Sequence, residues 1–325
     1  MPAQAGIQTS SVVLWMPACA GMTIIVFILV DLCCIKTENI RISCRGPNLV
    51  YNMNMRSKSN HKKVSIQTFK RDADNHLPNI VTIWVHGTGR NPLLRKLHLS
   101  PQGITSLAEL PQGWGLKRMG VALCEHDSLE FAHSHFYAFG WSGKLSFKSR
   151  ELAGRDFDAA LRQIEKLHEH QFGEKPRFRV IAHSHGCNVV LNAAEHLLAT
   201  DSPLVIDELV FLACPVQHAT EHKIASPAFI SIFSLYSPRD MIQVLDPQGL
   251  NFEKVASGGK IFSGRRFVPQ KNLVQAQITW KGNQLTHAGF IRERFGKALP
   301  SILAELRQSK HEIQAPDDDC IVTII

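Results

Sequence analysis

No lysine or arginine precedes Lys36 in this 325-residue chain, and no two of its eight cysteines stand in a CxxC spacing. The first absence removes the basic n-region that a secretory signal carries. The apolar run Thr23–Val30 is closed by Asp31, well short of the roughly 20 residues that a spanning helix needs. Cys33 and Cys34 follow Val30, Asp31 and Leu32 instead of the small residues of a lipoprotein cleavage site. The thiols at 19, 33, 34, 44, 124, 187, 214 and 320 form no paired framework. Cys124, Cys187 and Cys214 stand in apolar surroundings and read as buried reduced thiols, which points to a reducing, cytoplasmic setting. Membrane association through residues 23–35 is the alternative.

Also missing is any recurrent interleaving of basic and aromatic residues, or a compact nucleic-acid motif. The formal charge of +8 would otherwise invite a polyanion as partner. Its excess comes from short clusters instead: Arg56, Lys58, Lys62 and Lys63, then Lys70 and Arg71, and later Arg265 and Arg266. No nucleic-acid partner is therefore expected. A hydrophobic content of 44% and a charged content of 20% are those of an ordinary globular protein, and the length suits one large domain with an appendage.

Residues 1–55 differ in composition from the rest of the chain. Met1–Gln8 and Met16–Thr23 are similar to the peptide obtained when dispersed intergenic repeats of bacterial genomes are translated. That reading moves the functional start to Met53 or Met55 and leaves the extension without a folded role. Residues 56–77 are then a basic lead-in, 78–308 the folded domain, and 309–325 a tail carrying Asp317, Asp318 and Asp319.

From Ile80 the pattern is regular. Ile80–Val85 is a near-continuous apolar run, as in a strand buried on both faces, and it stops at His86-Gly87-Thr88-Gly89. Residues 90–130 are irregular, with room for one short helix. His135–Trp141 reads as a second strand and 148–171 as an amphipathic helix. Phe178–Ala182, Val205–Ala213, Ala228–Tyr236 and Leu273–Trp280 read as further strands, and Ala288–Gln308 as a closing helix. Strands alternating with helices predict an α/β fold, a mostly parallel central sheet flanked by helices.

One segment carries the chemistry. The run Val180, Ile181, Ala182 ends at His183-Ser184-His185-Gly186, and a helical pattern with Val189, Val190, Leu191, Ala194, Leu197 and Leu198 comes directly after it. A serine on so sharp a strand-to-helix turn is lifted clear of the sheet, and its neighbours must be small because backbone lies close by. By itself such a serine also fits an ordinary helix cap. Acyl transfer needs more: a base, a carboxylate to orient it, and donors for an oxyanion. Each has a candidate at a strand end. Asp240 comes after the strand 228–236 in a Ser-Pro-Arg-Asp turn, with Asp246 as the substitute, and His287 lies between the last strand and the last helix. The N–H groups of Thr88 and His185 are the candidate oxyanion donors, and His86 and Gly87 support the first of them.

On these residues the chain resembles the α/β-hydrolases of the bacterial lipase and esterase kind, over roughly residues 78–308. The resemblance rests on His86-Gly87, on the elbow 182–186 (with Ala182 where glycine is commoner), on Asp240 and on His287. Phe139-Gly140-Trp141-Ser142-Gly143 followed by Arg150 is similar to a stretch of uncharacterised bacterial members. It implies a serine hydrolase of carboxylic esters, with a lipid or other acyl ester as substrate, Ser184 as nucleophile, His287 as base and Asp240 as its orienting acid. Acyl transfer or thioester cleavage at the same site, and a silent binding protein on the same scaffold, are the rivals. No cofactor is expected. Nor is a metal, since His126, Asp127, His133 and His135 lack the helical ligand spacing and His183 and His185 flank a turn. A lid, if present, falls in 90–130 or 241–272.

Overall fold

The computed structural model describes residues 79–88, 102–199, 201–244 and 263–308 with their side chains, and the backbone of 11–16, 24–29, 40–46, 49–50, 309–312 and 320–324. The basic lead-in at 56–77, Asp246, and residues 90–101 and 245–262 of the two candidate lid segments lie outside the described residues.

The chain divides into two units, Met1–Glu38 and Asn39–Ile325. The first holds β1 (Ser11–Met16) paired antiparallel with β2 (Ile24–Leu29). Ile24–Leu29, within the apolar run of residues 23–30, thus form a strand, in keeping with their β-branched content. No helix among the described residues is long and apolar enough to cross a membrane.

In the second unit, β5 (Ile80–Val85), β7 (Phe136–Gly140), β8 (Arg177–His183), β9 (Glu208–Leu212), β10 (Ile232–Tyr236) and β11 (Leu273–Trp280) lie parallel, in the spatial order β11-β10-β9-β8-β5-β7. β6 (Gly103–Ser106) runs antiparallel along β7 and β12 (Asn283–Gln284) antiparallel along β11. Beyond β11 the sheet continues through β13 (Cys320–Ile324), β3 (Ile40–Gly46) and β4 (Leu49–Val50). The segments drawn as an extension and a tail therefore both contribute strands.

Helices cover both faces because the strands are apolar on both. Val81, Ile83 and Val85 of β5 and Phe178, Val180 and Ala182 of β8 pack with α2 (Phe147–Phe172) and α3 (His185–Leu198). Trp84, Ile181, Val210 and Leu212 point the other way, into α1 (Gly115–His126) and α5 (Glu293–Glu312). This is the doubly covered parallel sheet that near-continuous apolar strands imply. Cys124, Cys187 and Cys214 are buried free thiols. Burial pushes the Cys124 thiol up to about 12 and the Cys187 thiol well above its ordinary value.

Differences from the sequence pattern are local. The stretch 90–130 holds both α1 and the short edge strand β6, whose four half-buried residues offer no apolar run to read. The closing helix begins later than Ala288, because His287–Ile291 forms a 3-10 turn and Arg292 is extended. It then continues to Glu312 with Pro300 inside it.

At the amino-terminal edge of the sheet the elements are tied by two arginines and two glutamates. Arg179 contacts Glu208 at 2.6 Å and Glu130 at 2.7 Å, and Arg307 of α5 contacts Glu208 at 2.7 Å. Burial alone would raise the Glu208 carboxyl, but Arg307 and Arg179 outweigh it and hold the group below its ordinary value of 4.5. Its contribution is therefore complete above that value and lost as pH falls through the lowered folded value. Glu208→Gln leaves two guanidinium groups sharing one carboxylate, at a cost of about 3 kcal/mol. Thermal melts should show that gap at pH 7 and show it narrowing as pH falls below 4.5; a gap that does not change with pH would contradict the assignment.

Candidate active site

The C-terminal ends of β5, β8, β10 and β11 bring the sequence-predicted residues to one edge. Ser184 stands between β8 and α3 with φ 54° and ψ −130°, a conformation that costs a non-glycine residue about 1–3 kcal/mol. Two backbone bonds hold it there. Its N–H donates to Leu212 O at 2.9 Å, and its carbonyl accepts Cys187 N–H at 3.0 Å in the first turn of α3. The Cys187 thiol donates in turn to Ala182 O at 3.2 Å, knitting the two arms of the turn together.

Small neighbours are a steric necessity here. A Cβ on Gly186 would lie 2.6 Å from the carbonyl oxygens of both Val85 and His86, and one on Gly87 would lie 2.7 Å from Ser184 Cβ. Both obstacles to Gly186 are backbone and cannot rotate away. Gly186→Ala should therefore push α3 off the end of β5, costing about 3 kcal/mol and moving the serine. The check is a thermal melt beside an ester assay. Wild-type melting and turnover in this variant would show that the close approach is unimportant.

Ser184, His287 and Asp240 form one hydrogen-bonded line. His287 Nε2 lies 2.9 Å from Ser184 Oγ, and its Nδ1 lies 2.7 Å from Asp240 Oδ2. With the ring proton on the Asp240 side, Nε2 is left to accept the Ser184 hydroxyl. The Asp240 side chain is fully enclosed, whereas that of His287 keeps 13% of its surface exposed. The imidazole thus opens to the outside while the carboxylate behind it does not.

Asp240 serves two partners at once. Oδ2 faces His287, and Oδ1 accepts Gln243 N–H at 3.1 Å, capping the short helix α4 (Met241–Val244). The turn-closing bond and the contact with His287 are therefore made by different oxygens of one carboxylate. Gln243 also donates through Nε2 to Cys214 O, fastening the acid turn to the end of β9.

His86 is engaged within its own loop. Its Nδ1–H donates to Gly87 O at 2.6 Å, its Nε2 accepts Trp141 N–H at 3.1 Å, and its carbonyl accepts Trp141 Nε1–H at 2.8 Å. The two rings stack with centroids 5.8 Å apart. These bonds fix the turn that presses Gly87 against Ser184. Thr88 comes next as a half-buried residue, and His185 opens α3 with 5% of its surface exposed.

Two neighbours escaped the sequence reading. His183 packs its ring 4.7 Å from that of His287, at 50°, and its Nε2 lies 3.3 Å from His287 O. Arg265 donates to Asp240 O at 3.3 Å. Both contacts join distant parts of the chain. Only the sequence position of His183, next to the serine, offered a hint. Among the described residues, no group of three His, Cys, Asp or Glu side chains is gathered to hold a metal ion.

No family model matches the sequence. No curated protein matches it either. Among solved structures, the chain is similar to phospholipase PlaB from Legionella pneumophila in complex with thio-NAD, at 19% identity and a TM-score of 0.27. That similarity covers 42% of this chain and 25% of the other, so the chain spans about a quarter of the length of the protein it matches.

Proposed function

We propose that the domain at 78–308 is a serine hydrolase of the α/β-hydrolase kind, cleaving carboxylic esters through an acyl-enzyme. The observation that carries this reading is the unbroken line Ser184–His287–Asp240, with bonds of 2.9 and 2.7 Å on a strained strand-to-helix turn. Strain at a serine whose hydroxyl already points at a base is what an activated nucleophile requires.

In this mechanism Ser184 Oγ attacks the ester carbonyl as its proton passes to His287 Nε2. Asp240 holds the ring in the required tautomer and stabilises the imidazolium. The N–H groups of Thr88 and His185 stabilise the oxyanion, a contribution typically worth about 10²–10³ in rate per donor. His287 returns the proton to the departing alkoxide, which leaves as an alcohol. Water then gives a proton to the same nitrogen, attacks the acyl-serine, and releases the acid while Ser184 recovers its proton.

The test is a series of 4-nitrophenyl esters of increasing acyl length. Saturable turnover of at least the short members is expected. Complete inertness across the series, in protein that is folded by its thermal melt, would contradict the reading.

A further inference from the structure

A cavity of about 360 Å³ opens beside the acid turn, between Tyr236 and Pro238 at the end of β10, Val244 of α4, and the segment Ser263–Arg266. Its described walls hold two arginines and no carboxylate. The Arg265–Arg266 pair is one of the basic clusters in the sequence, and the ester chemistry gives it no task.

The segment carrying the pair is fixed in advance. Gly264 exchanges two backbone bonds with Val216, at 2.8 and 2.9 Å, which pins the segment to the end of β9. Arg265 donates one guanidinium N–H to Asp240 O at 3.3 Å. Its Nε–H, by contrast, is buried and finds no acceptor among the described residues. A guanidinium presents its N–H groups as a planar fork that suits the paired oxygens of a phosphate or carboxylate. Ser263 and Tyr236 line the same walls, and both residues are at least 95% buried.

We propose that this cavity is an anion subsite, in which Arg265 and Arg266 take a phosphate or carboxylate group. The anion arrives either as part of an ester substrate or as a free ion. The substrate route rests on the ester-hydrolase reading above; binding of the anion itself does not.

The experiment uses inorganic phosphate at constant ionic strength. It should raise the melting temperature of the full chain saturably. Arg266→Gln should weaken this binding about tenfold, the size of one charge-assisted hydrogen bond, and R265Q/R266Q should abolish the shift. An equal shift in wild type and double variant, or none in either, would overturn the subsite. A second arm compares KM for 4-nitrophenyl hydrogen succinate with KM for 4-nitrophenyl butyrate. A tenfold rise in that ratio in Arg266→Gln assigns the subsite to the substrate's own anion, and an unchanged ratio with phosphate binding retained in wild type assigns it to a free ion. Failure of both esters to turn over would count against the hydrolase reading and leave the phosphate result to stand alone.

Discussion

Ser184→Ala should lower ester turnover by about 10⁴–10⁶-fold while leaving the protein folded. The loss is large because the substitution removes the atom that would form the acyl bond, and no other hydroxyl lies in hydrogen-bond contact with His287 among the described residues. Stability should hardly change. The bonds fixing the elbow run through the Ser184 backbone, to Leu212 O and from Cys187 N–H, and alanine keeps both. Alanine keeps the same Cβ as serine, so the substitution adds no new steric demand at φ 54°. The check pairs kcat/KM on a short 4-nitrophenyl ester with a thermal melt. A variant within tenfold of wild type would remove Ser184 from the chemistry.

Asp240→Asn is the second large effect, about 10⁴ in kcat, and its origin is directional. Gln243 N–H needs an acceptor, so the asparagine oxygen is drawn to the Oδ1 position. The amide nitrogen is then turned toward His287 Nδ1, where aspartate had accepted. An N–H donor facing Nδ1 drives the ring proton to Nε2, and a protonated Nε2 cannot take the Ser184 hydroxyl proton. The cap on α4 survives, so the melting temperature should fall little. Asp240→Ala should match it in rate but lose about 1 kcal/mol more stability, the usual worth of such a cap. Equal rates for Asp240→Asn and wild type would displace Asp240 from the orienting role.

Much of the central sheet was readable because its strands are buried on both faces and therefore apolar throughout. Leu273–Trp280 coincides with its sequence expectation, and α2 extends one residue beyond the pattern at each end. The strand β6 was not readable: Gly103, Ile104, Thr105 and Ser106 are all half-buried at an edge. The strands β3 and β13 pair with each other across the length of the chain, and such pairing has no local signature.

The candidate site was legible through order and position. Ser184, Asp240 and His287 each come after a strand, although 103 residues separate Ser184 from His287 and 47 separate Asp240 from it. What sequence could not convey were the contacts made after folding. The lean of His183 on His287 is one, the reach of Gln243 across to Cys214 is another, and the grip of Arg265 on the acid turn is a third. Each depends on how loops from different strands meet at one edge. The glycines stand between these cases. A requirement for small residues was visible at 186 and 87, but the carbonyl oxygens of Val85 and His86 that impose it at 186 belong to another strand and its loop.

The central claim is that His287 and Asp240 make Ser184 a nucleophile. It is tested most directly by treating the folded protein with a fluorophosphonate and locating the adduct by peptide mass spectrometry. The account predicts one stoichiometric adduct, on Ser184, with labelling strongly slowed in Asp240→Asn. No adduct on Ser184, or labelling that proceeds at the wild-type rate in Asp240→Asn and in His287→Ala, would contradict it.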